Sequence, residues 1–351
     1  MKIAIAGTGM IVREVLPYLA EWGWEPAAIC STPASEEKAR ALADQCGCTA
    51  VYTDYAAMLA ETEAGTVYLG VPNVLHAQMA EQAMGAGKHV IVEKPLASNS
   101  REAEKLAALA RELGLFLYEA VTTLYQPDYA ALRALLPRIG EVRLVSCNFS
   151  QYSSRYDAFR RGERPPVFDP AKSGGALMDL NLYNLHWMTG LFGAPDRISY
   201  HANMERGIDV SGILLLEYPA FQAVSIAAKD CSAPARYLIQ GTEGSLIQNT
   251  TANVCGEVVL RGHGGGEERF HTPAGHRMEA EFRAFAKQMR DGDLDACHAA
   301  LAHSMTVSRL LTGARQYAGI RFPADGPQTE NGGFDSFPLF STRPLLKIRE
   351  E

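Results

Sequence analysis

Short apolar runs alternate with longer amphipathic stretches through the first third of the chain, and that alternation predicts strand-helix-strand units on a parallel sheet. Ile3 to Ala6 reads as a first strand, followed by Gly7-Thr8-Gly9 and a helical stretch carrying Ile11, Val15, Leu16 and Leu19. Pro26 to Cys30 reads as a second strand and Glu36 to Gly47 as a helix, while Thr66 to Gly70 and His89 to Glu93 read as strands separated by a helix from Leu75 to Gly85. An Ala- and Leu-rich helix, Ser100 to Leu113, then precedes a strand at Leu115 to Tyr118. Elements in this order make a doubly wound domain.

The pattern changes near Val121. A helix, Asp128 to Leu136, leads into an alternating run, Glu141 to Gln151. Strand-like segments then follow at Arg197 to Met204, Val210 to Tyr218, Phe221 to Lys229, Arg236 to Gln240, Ser245 to Gln248 and Glu257 to Leu260. Strand following strand predicts a largely antiparallel sheet. Helices at Met278 to Arg290 and His298 to Tyr317 are expected to close this second domain, with Gly262 to Gly266 as a hairpin loop and Asp325 to Asp335 as a mobile surface segment. The fold class is therefore α/β, a doubly wound parallel sheet plus an α+β domain with a mostly antiparallel sheet. The domains divide as 1–121, 122–325 and a C-terminal extension, 326–351.

Composition narrows the partners. At 351 residues the chain is long enough for two domains, and 47% apolar with 21% charged residues is a globular mixture. A net charge of -7 opposes nucleic acid or an anionic membrane as partner and favours a small molecule. The seven cysteines are scattered, and only Cys46 and Cys48 are close, with no zinc-ligand spacing. Neither a disulfide framework nor a metal is expected; free thiols suit a reducing compartment. Met1 to Gly7 lacks the apolar core of a signal peptide and no run of 18 apolar residues occurs, so the expectation is a soluble, cytoplasmic protein.

The turn Gly7-Thr8-Gly9-Met10-Ile11 stands where a first strand meets a first helix, the position of a dinucleotide-binding turn. Val12 replaces the third glycine of that fingerprint. At the end of the second strand an Asp or Glu would select NAD, but the chain has Cys30-Ser31-Thr32-Pro33 and no carboxylate before Glu36. Hydroxyls at Ser31 and Thr32 tolerate a 2′-phosphate, so NADP is favoured over NAD. Glu93-Lys94-Pro95 ends the fourth strand, where open parallel sheets place ligands. A lysine there can be desolvated and exchange protons near neutral pH, and Pro95 could aim it through a tight, cis turn. Further on, Gly174-Gly175 opens a helix whose Asp179 and Tyr183 are four residues apart and share a face. An adjacent ammonium would lower the Tyr183 phenol toward neutrality. Read alone, Tyr183 could equally be a half-buried aromatic and Asp179 a surface carboxylate.

Together these pieces resemble the Gfo/Idh/MocA family of NAD(P)-dependent oxidoreductases. The likeness covers nearly the whole chain to Asp325. It rests on Gly7-x-Gly9, Gly70-Val71-Pro72-Asn73 with His76, Ala86-Gly87-Lys88-His89-Val90 before Glu93-Lys94-Pro95, Tyr118-Glu119-Ala120, Gly174 to Asp179, and Gly319-Ile320. The resemblance implies a Rossmann domain joined to an open-faced sheet domain, with substrate at the junction. It also implies that Lys94 contacts substrate and nicotinamide, that Asp179 orients the reacting alcohol, and that Val71, Pro72, Asn73, His76 and Glu93 line the cofactor side. Most members carry His as acid/base where this chain has Tyr183, which resembles the branch with dimeric dihydrodiol dehydrogenase and glucose-fructose oxidoreductase. Asn181 also replaces a common Gly.

The expected activity is hydride transfer between nicotinamide and a secondary alcohol or carbonyl of a sugar, polyol or dihydrodiol-like substrate, with Lys94, Tyr183 and Asp179 catalytic. Tyr152, Arg164 and Lys172 are candidates to face substrate hydroxyls, or are solvated loop residues. Two other readings of the fold stay open, a non-catalytic NAD(P)-binding regulatory protein and a glycosidase with tightly held NAD. An open apolar sheet face needs a cover, which predicts a homodimer or homotetramer joined through the second domain.

Overall fold

The computed structural model describes residues 1–327. Two sheets organise them. The first has six parallel strands, β1 (Lys2–Ala6), β2 (Glu25–Cys30), β3 (Val51–Tyr52), β4 (Thr66–Leu69), β5 (His89–Glu93) and β6 (Leu117–Ala120), in the order β3-β2-β1-β4-β5-β6. Its helices are α1 (Met10–Val15), α2 (Glu36–Cys46), α3 (Tyr55–Glu61), α4 (Asn73–Gly85) and α5 (Ser100–Leu113). Strand order reverses between β1 and β4, and the crevice beyond the strand ends at that switch point is where such sheets bind ligands.

After α6 (Pro127–Leu135) the chain builds an eight-stranded sheet from β7 (Val142–Ser150), β8 (Arg197–Glu205), β9 (Ile208–Glu217), β10 (Gln222–Ala228), β11 (Arg236–Gly241), β12 (Gly244–Gln248), β13 (Val258–Gly262) and β14 (Glu267–Phe270). The order is β14-β13-β12-β11-β7-β10-β9-β8; β7 and β10 pair parallel and every other pair is antiparallel. Between β7 and β8 lie α7 (Tyr156–Arg160) and α8 (Leu182–Phe192). Leu182, Leu185, Trp187 and Met188 of α8 pack with Cys147, Phe149, Leu214 and Leu216 of the sheet in one core. The Gly262 to Gly266 tract is the β13–β14 hairpin loop, as expected, with Gly262 N–H donating to Gly266 O at 3.1 Å.

Four expectations change. The short β3 and α3 are additional to the expected elements, because a two-residue strand has no period to detect. The sixth strand lies two residues later than Leu115 to Tyr118: Gly114 caps α5 in the left-handed region, Leu115 N–H still bonds Ala110 O, and pairing with β5 begins at Leu117. Helix α9 (Glu279–Asp291) covers the first sheet rather than closing the second, because its apolar face, Phe282, Phe285 and Ala286, packs with Trp24, Tyr68 and Tyr118. Asp325 is anchored, not mobile. It takes a two-pronged ion pair from buried Arg315 of α10 (Leu294–Tyr317), at 2.6 and 2.7 Å. The rest of the expected mobile stretch, and the 326–351 extension beyond Pro327, lie outside the described residues. Among those described, no helix is long and apolar enough to cross a membrane.

Candidate active site

Gly7 leaves β1 at φ +116°, and a Cβ there would stand 2.2 Å from the Gly70 carbonyl oxygen, so the turn closes against the end of β4 only without a side chain. The next element, α1, has Gly9 as its N-cap and no side-chain cap on its first amides. Gly7, Thr8, Gly9, Met10 and Ile11 line one wall of a cavity of about 950 Å³. Ser31 and Thr32 line the same cavity at the end of β2, and Val71, Pro72, Asn73 and Glu93 at the ends of β4 and β5. From the second sheet and its loops come Phe149, Tyr152, Lys172, Asp179, Tyr183 and Lys229.

Lys94 follows directly on β5, and its peptide bond to Pro95 is cis. Its ammonium donates to Asp179 Oδ1 at 2.7 Å and to the Asp179 carbonyl at 3.2 Å. Asp179 itself lies in a π-helical turn, Leu177–Asn181, that runs into α8, with Leu182 N–H bonded to Leu177 O. Such turns recur at functional sites because they re-aim side chains without ending the helix. The turn is held from the second sheet. Buried Asp209 of β9 accepts the Leu177 N–H at 2.6 Å and the Tyr200 hydroxyl at 2.7 Å. Tyr183, one turn on, is 7% exposed, and its ring centroid is 4.9 Å from Lys94 Nζ.

Three cations that line the cavity, Arg155, Lys229 and Arg277, were missed. Lys229, just past β10, ion-pairs with Asp179 Oδ2, so one carboxylate bridges a lysine from each sheet. The single hint was a lysine directly after a short apolar run, Ile226-Ala227-Ala228-Lys229. Arg277 lines the cavity and donates to Glu14 at 2.8 Å. No local pattern could reveal that pair, because its partners are 263 residues apart.

Charge states follow from burial and these contacts. Burial alone would raise the Asp179 carboxyl, but Lys94 and Lys229 outweigh it and hold it well below the usual carboxylate range. Burial works to lower the Lys94 ammonium; Asp179 and Tyr183 outweigh it, and the net shift is upward. Lys94 therefore stays charged and does not exchange protons near neutrality as the sequence suggested. Tyr183 is also corrected. Burial raises its phenol, and the opposing charge of Lys94 is the smaller effect, so the hydroxyl keeps its proton at neutral pH.

Two expected site residues lie elsewhere. His76 is fully buried behind the cavity wall, with Nδ1 2.7 Å from Pro95 O and Nε2 2.9 Å from Val71 O. Burial lowers its pKa, and the neutral ring, which has one N–H, donates to one of these two carbonyls and does not line the cavity. Arg164 is exposed and does not line the cavity. Of the others, Asn73 donates to Ser173 O at 3.0 Å, Glu93 accepts the Tyr68 hydroxyl at 2.7 Å, and Tyr152 donates to Asp157 at 2.7 Å. Asn181 turns away from the cavity and accepts a hydrogen bond from Ser225.

Residues 1–120 match the model of an oxidoreductase family with an NAD-binding Rossmann fold, and residues 129–247 match the GFO/IDH/MocA C-terminal domain. The chain belongs to the GFO/IDH/MocA oxidoreductase family. Among GFO/IDH/MocA relatives, it is 32% identical to a scyllo-inositol 2-dehydrogenase (NADP(+)) of Bacillus subtilis (strain 168), covering 93% of this chain and 99% of that one. It is 28% identical to the trans-1,2-dihydrobenzene-1,2-diol dehydrogenase of Sus scrofa, over 78% of this chain and 83% of that one. A 3-ketoreductase from Actinomadura kijaniata, solved with NADP and TDP-benzene, superposes with a TM-score of 0.79 at 26% identity, covering 90% of this chain and 97% of that one.

The residues present fit the dinucleotide that this family binds. The uncapped start of α1 offers amide donors to a pyrophosphate. Among the described residues no carboxylate lines the cavity at the end of β2, and Glu36 is engaged by Arg40 at 2.5 Å.

Proposed function

We propose that this chain is an NADP-dependent dehydrogenase or reductase that acts on a secondary alcohol or carbonyl of a sugar, polyol or dihydrodiol-like substrate. The convergence of Lys94, Asp179 and Tyr183 in the cavity that also contains the Gly7 to Ile11 turn carries the reading. NADP, when bound, supplies or takes the hydride. The Gly7 to Ile11 backbone would hold its pyrophosphate, and Ser31 and Thr32 would accept its 2′-phosphate. Val71, Pro72, Asn73 and Glu93 would border its nicotinamide end, beside Lys94. Asp179, ion-paired on both oxygens, holds Lys94 in place instead of taking a proton. Lys94 donates to the reacting oxygen and stabilises negative charge there. Tyr183, which holds its proton, gives it to that oxygen in reduction and recovers it in oxidation. Tyr152 and Lys172, which line the cavity, would reach distal substrate hydroxyls.

The test is nicotinamide absorbance with NADP and NAD across a panel of inositols, sugars and dihydrodiols. Net cofactor turnover is the expected outcome. Cofactor binding without turnover on the whole panel would establish a regulatory protein instead, and product formation without net cofactor change would establish a glycosidase.

A cytoplasmic location and a homodimer or homotetramer belong to the same proposal. The seven cysteines are all free. The outer face of the second sheet exposes Leu144, Ile213 and Leu215, with Ile213 beside Ile226 and Leu215 beside Val224 across the β9–β10 pair. A strict monomer at micromolar concentration in solution would overturn the assembly.

A further inference from the structure

Lys229 enters the cavity from the end of β10 in the second sheet, whereas Lys94 follows β5 in the first. Its backbone is fixed at both ends, the N–H donating to Val210 O at 2.8 Å and the carbonyl accepting from Ser153 N–H at 2.9 Å. The side chain is 7% exposed, and its ammonium is 5.9 Å from the Phe168 ring centroid. An ammonium has three N–H donors. Lys94 uses two of its three on Asp179, whereas among the described residues Lys229 uses one. Two buried donors of Lys229 are thus left to whatever fills the cavity. Both ammonium groups grip the same carboxylate, so they stand within roughly 7 Å of each other, given N–O contacts of about 2.8 Å. Two hydroxyls on adjacent carbons can each reach one of them.

Resting on the reading of Lys94 and Tyr183 above, we propose that Lys229 recognises the hydroxyl on the carbon next to the one that exchanges hydride, so that the site takes vicinal diols and α-hydroxy carbonyls. Lys94 serves the reacting oxygen and Lys229 its neighbour. A charge-assisted hydrogen bond in a buried site discriminates strongly, because a substrate lacking the hydroxyl leaves the cation without a partner. Asp179 sets the distance between the two lysines and so the spacing of hydroxyls that is accepted.

The experiment compares kcat/KM with NADP for trans-1,2-cyclohexanediol and cyclohexanol, which differ by that one hydroxyl, in the wild type, Lys229→Met and Lys229→Arg. The wild type is expected to prefer the diol by about tenfold or more. Lys229→Met should narrow the preference about tenfold, by a rise in KM for the diol, and Lys229→Arg should retain part of it. An NADP titration that gives wild-type affinity shows that each variant is folded. An equal loss on both alcohols in Lys229→Met would make Lys229 a partner of Asp179 alone and overturn the inference. Equal wild-type kcat/KM for both alcohols would overturn it while leaving the oxidoreductase reading intact; no turnover of these or any polyol would sink both.

Discussion

The Lys94 ammonium stands over the face of the Tyr183 ring, 4.9 Å from its centroid, and no hydrogen bond joins it to the phenol hydroxyl. A cation over the ring steadies the tyrosine in place and opposes, without overcoming, the upward shift that burial imposes on its phenol. The acid in this site is therefore ready at neutral pH, and the fixed charge beside it belongs to lysine.

Removing either partner should cost turnover more than binding. Tyr183→Phe and Lys94→Ala are each expected to lower kcat by about 10² or more, the usual worth of a positioned proton donor or charge. The NADP dissociation constant of Tyr183→Phe should change little. Near-normal kcat in both variants would remove the assignment.

The pH dependence has a definite sign. Reduction needs protonated Tyr183, whose pKa is raised, so its rate should stay level through neutral pH and fall only above the ordinary phenol range of about 10. Oxidation needs the ionised form and should speed up as pH rises. Lys94→Met removes the opposing positive charge and should move both limbs to higher pH. Rate profiles in the two directions check this, and a fall in reduction rate centred near pH 7 would contradict it.

The π-helical turn depends on Asp209. Burial raises this carboxyl to about 6 from 3.8, against the hydrogen bonds from Leu177 and Tyr200. The folded state then binds the proton more tightly than the unfolded one, so this group's stabilising share is full below about pH 4 and is lost as pH rises through 6, on the order of 3 kcal/mol. Asp209→Asn should flatten that part of the stability-versus-pH curve, read by denaturant titration at pH 4 to 7. Gly175→Ala should be worse for the turn than most surface changes, since Gly175 has φ +110° and a Cβ would meet Asp209 Oδ1 at 2.1 Å. The expected result is a lower melting temperature together with reduced kcat.

Cofactor choice should be reversible at one loop. Ser31→Asp places a carboxylate where it can pair with ribose hydroxyls and repel a 2′-phosphate. The ratio of kcat/KM for NADP to that for NAD is expected to fall about tenfold or more. An unchanged ratio would move the selectivity to other residues.

The parallel sheet was legible because β1, β2, β4 and β5 each carry a short apolar run between helical stretches, a signal carried by neighbours in the chain. The turn at Gly7 and the strand-end position of Lys94 were legible for the same reason, and Asp179 and Tyr183 could be placed on one helix by counting. What counting could not supply is which groups meet. Lys94 reaches Asp179 across 85 residues, Lys229 reaches it across 50, and Asp209 holds Leu177 across 32. Nor could periodicity show that α9, late in the chain, covers the first sheet, or that burial keeps the Tyr183 proton in place against a neighbouring cation. Local spacing along the chain determined the elements and the residue types at their ends. The protonation states and the pairing of two lysines on one carboxylate were decided only by tertiary structure, because desolvation and Coulomb energy depend on distances in space that chain separation does not fix.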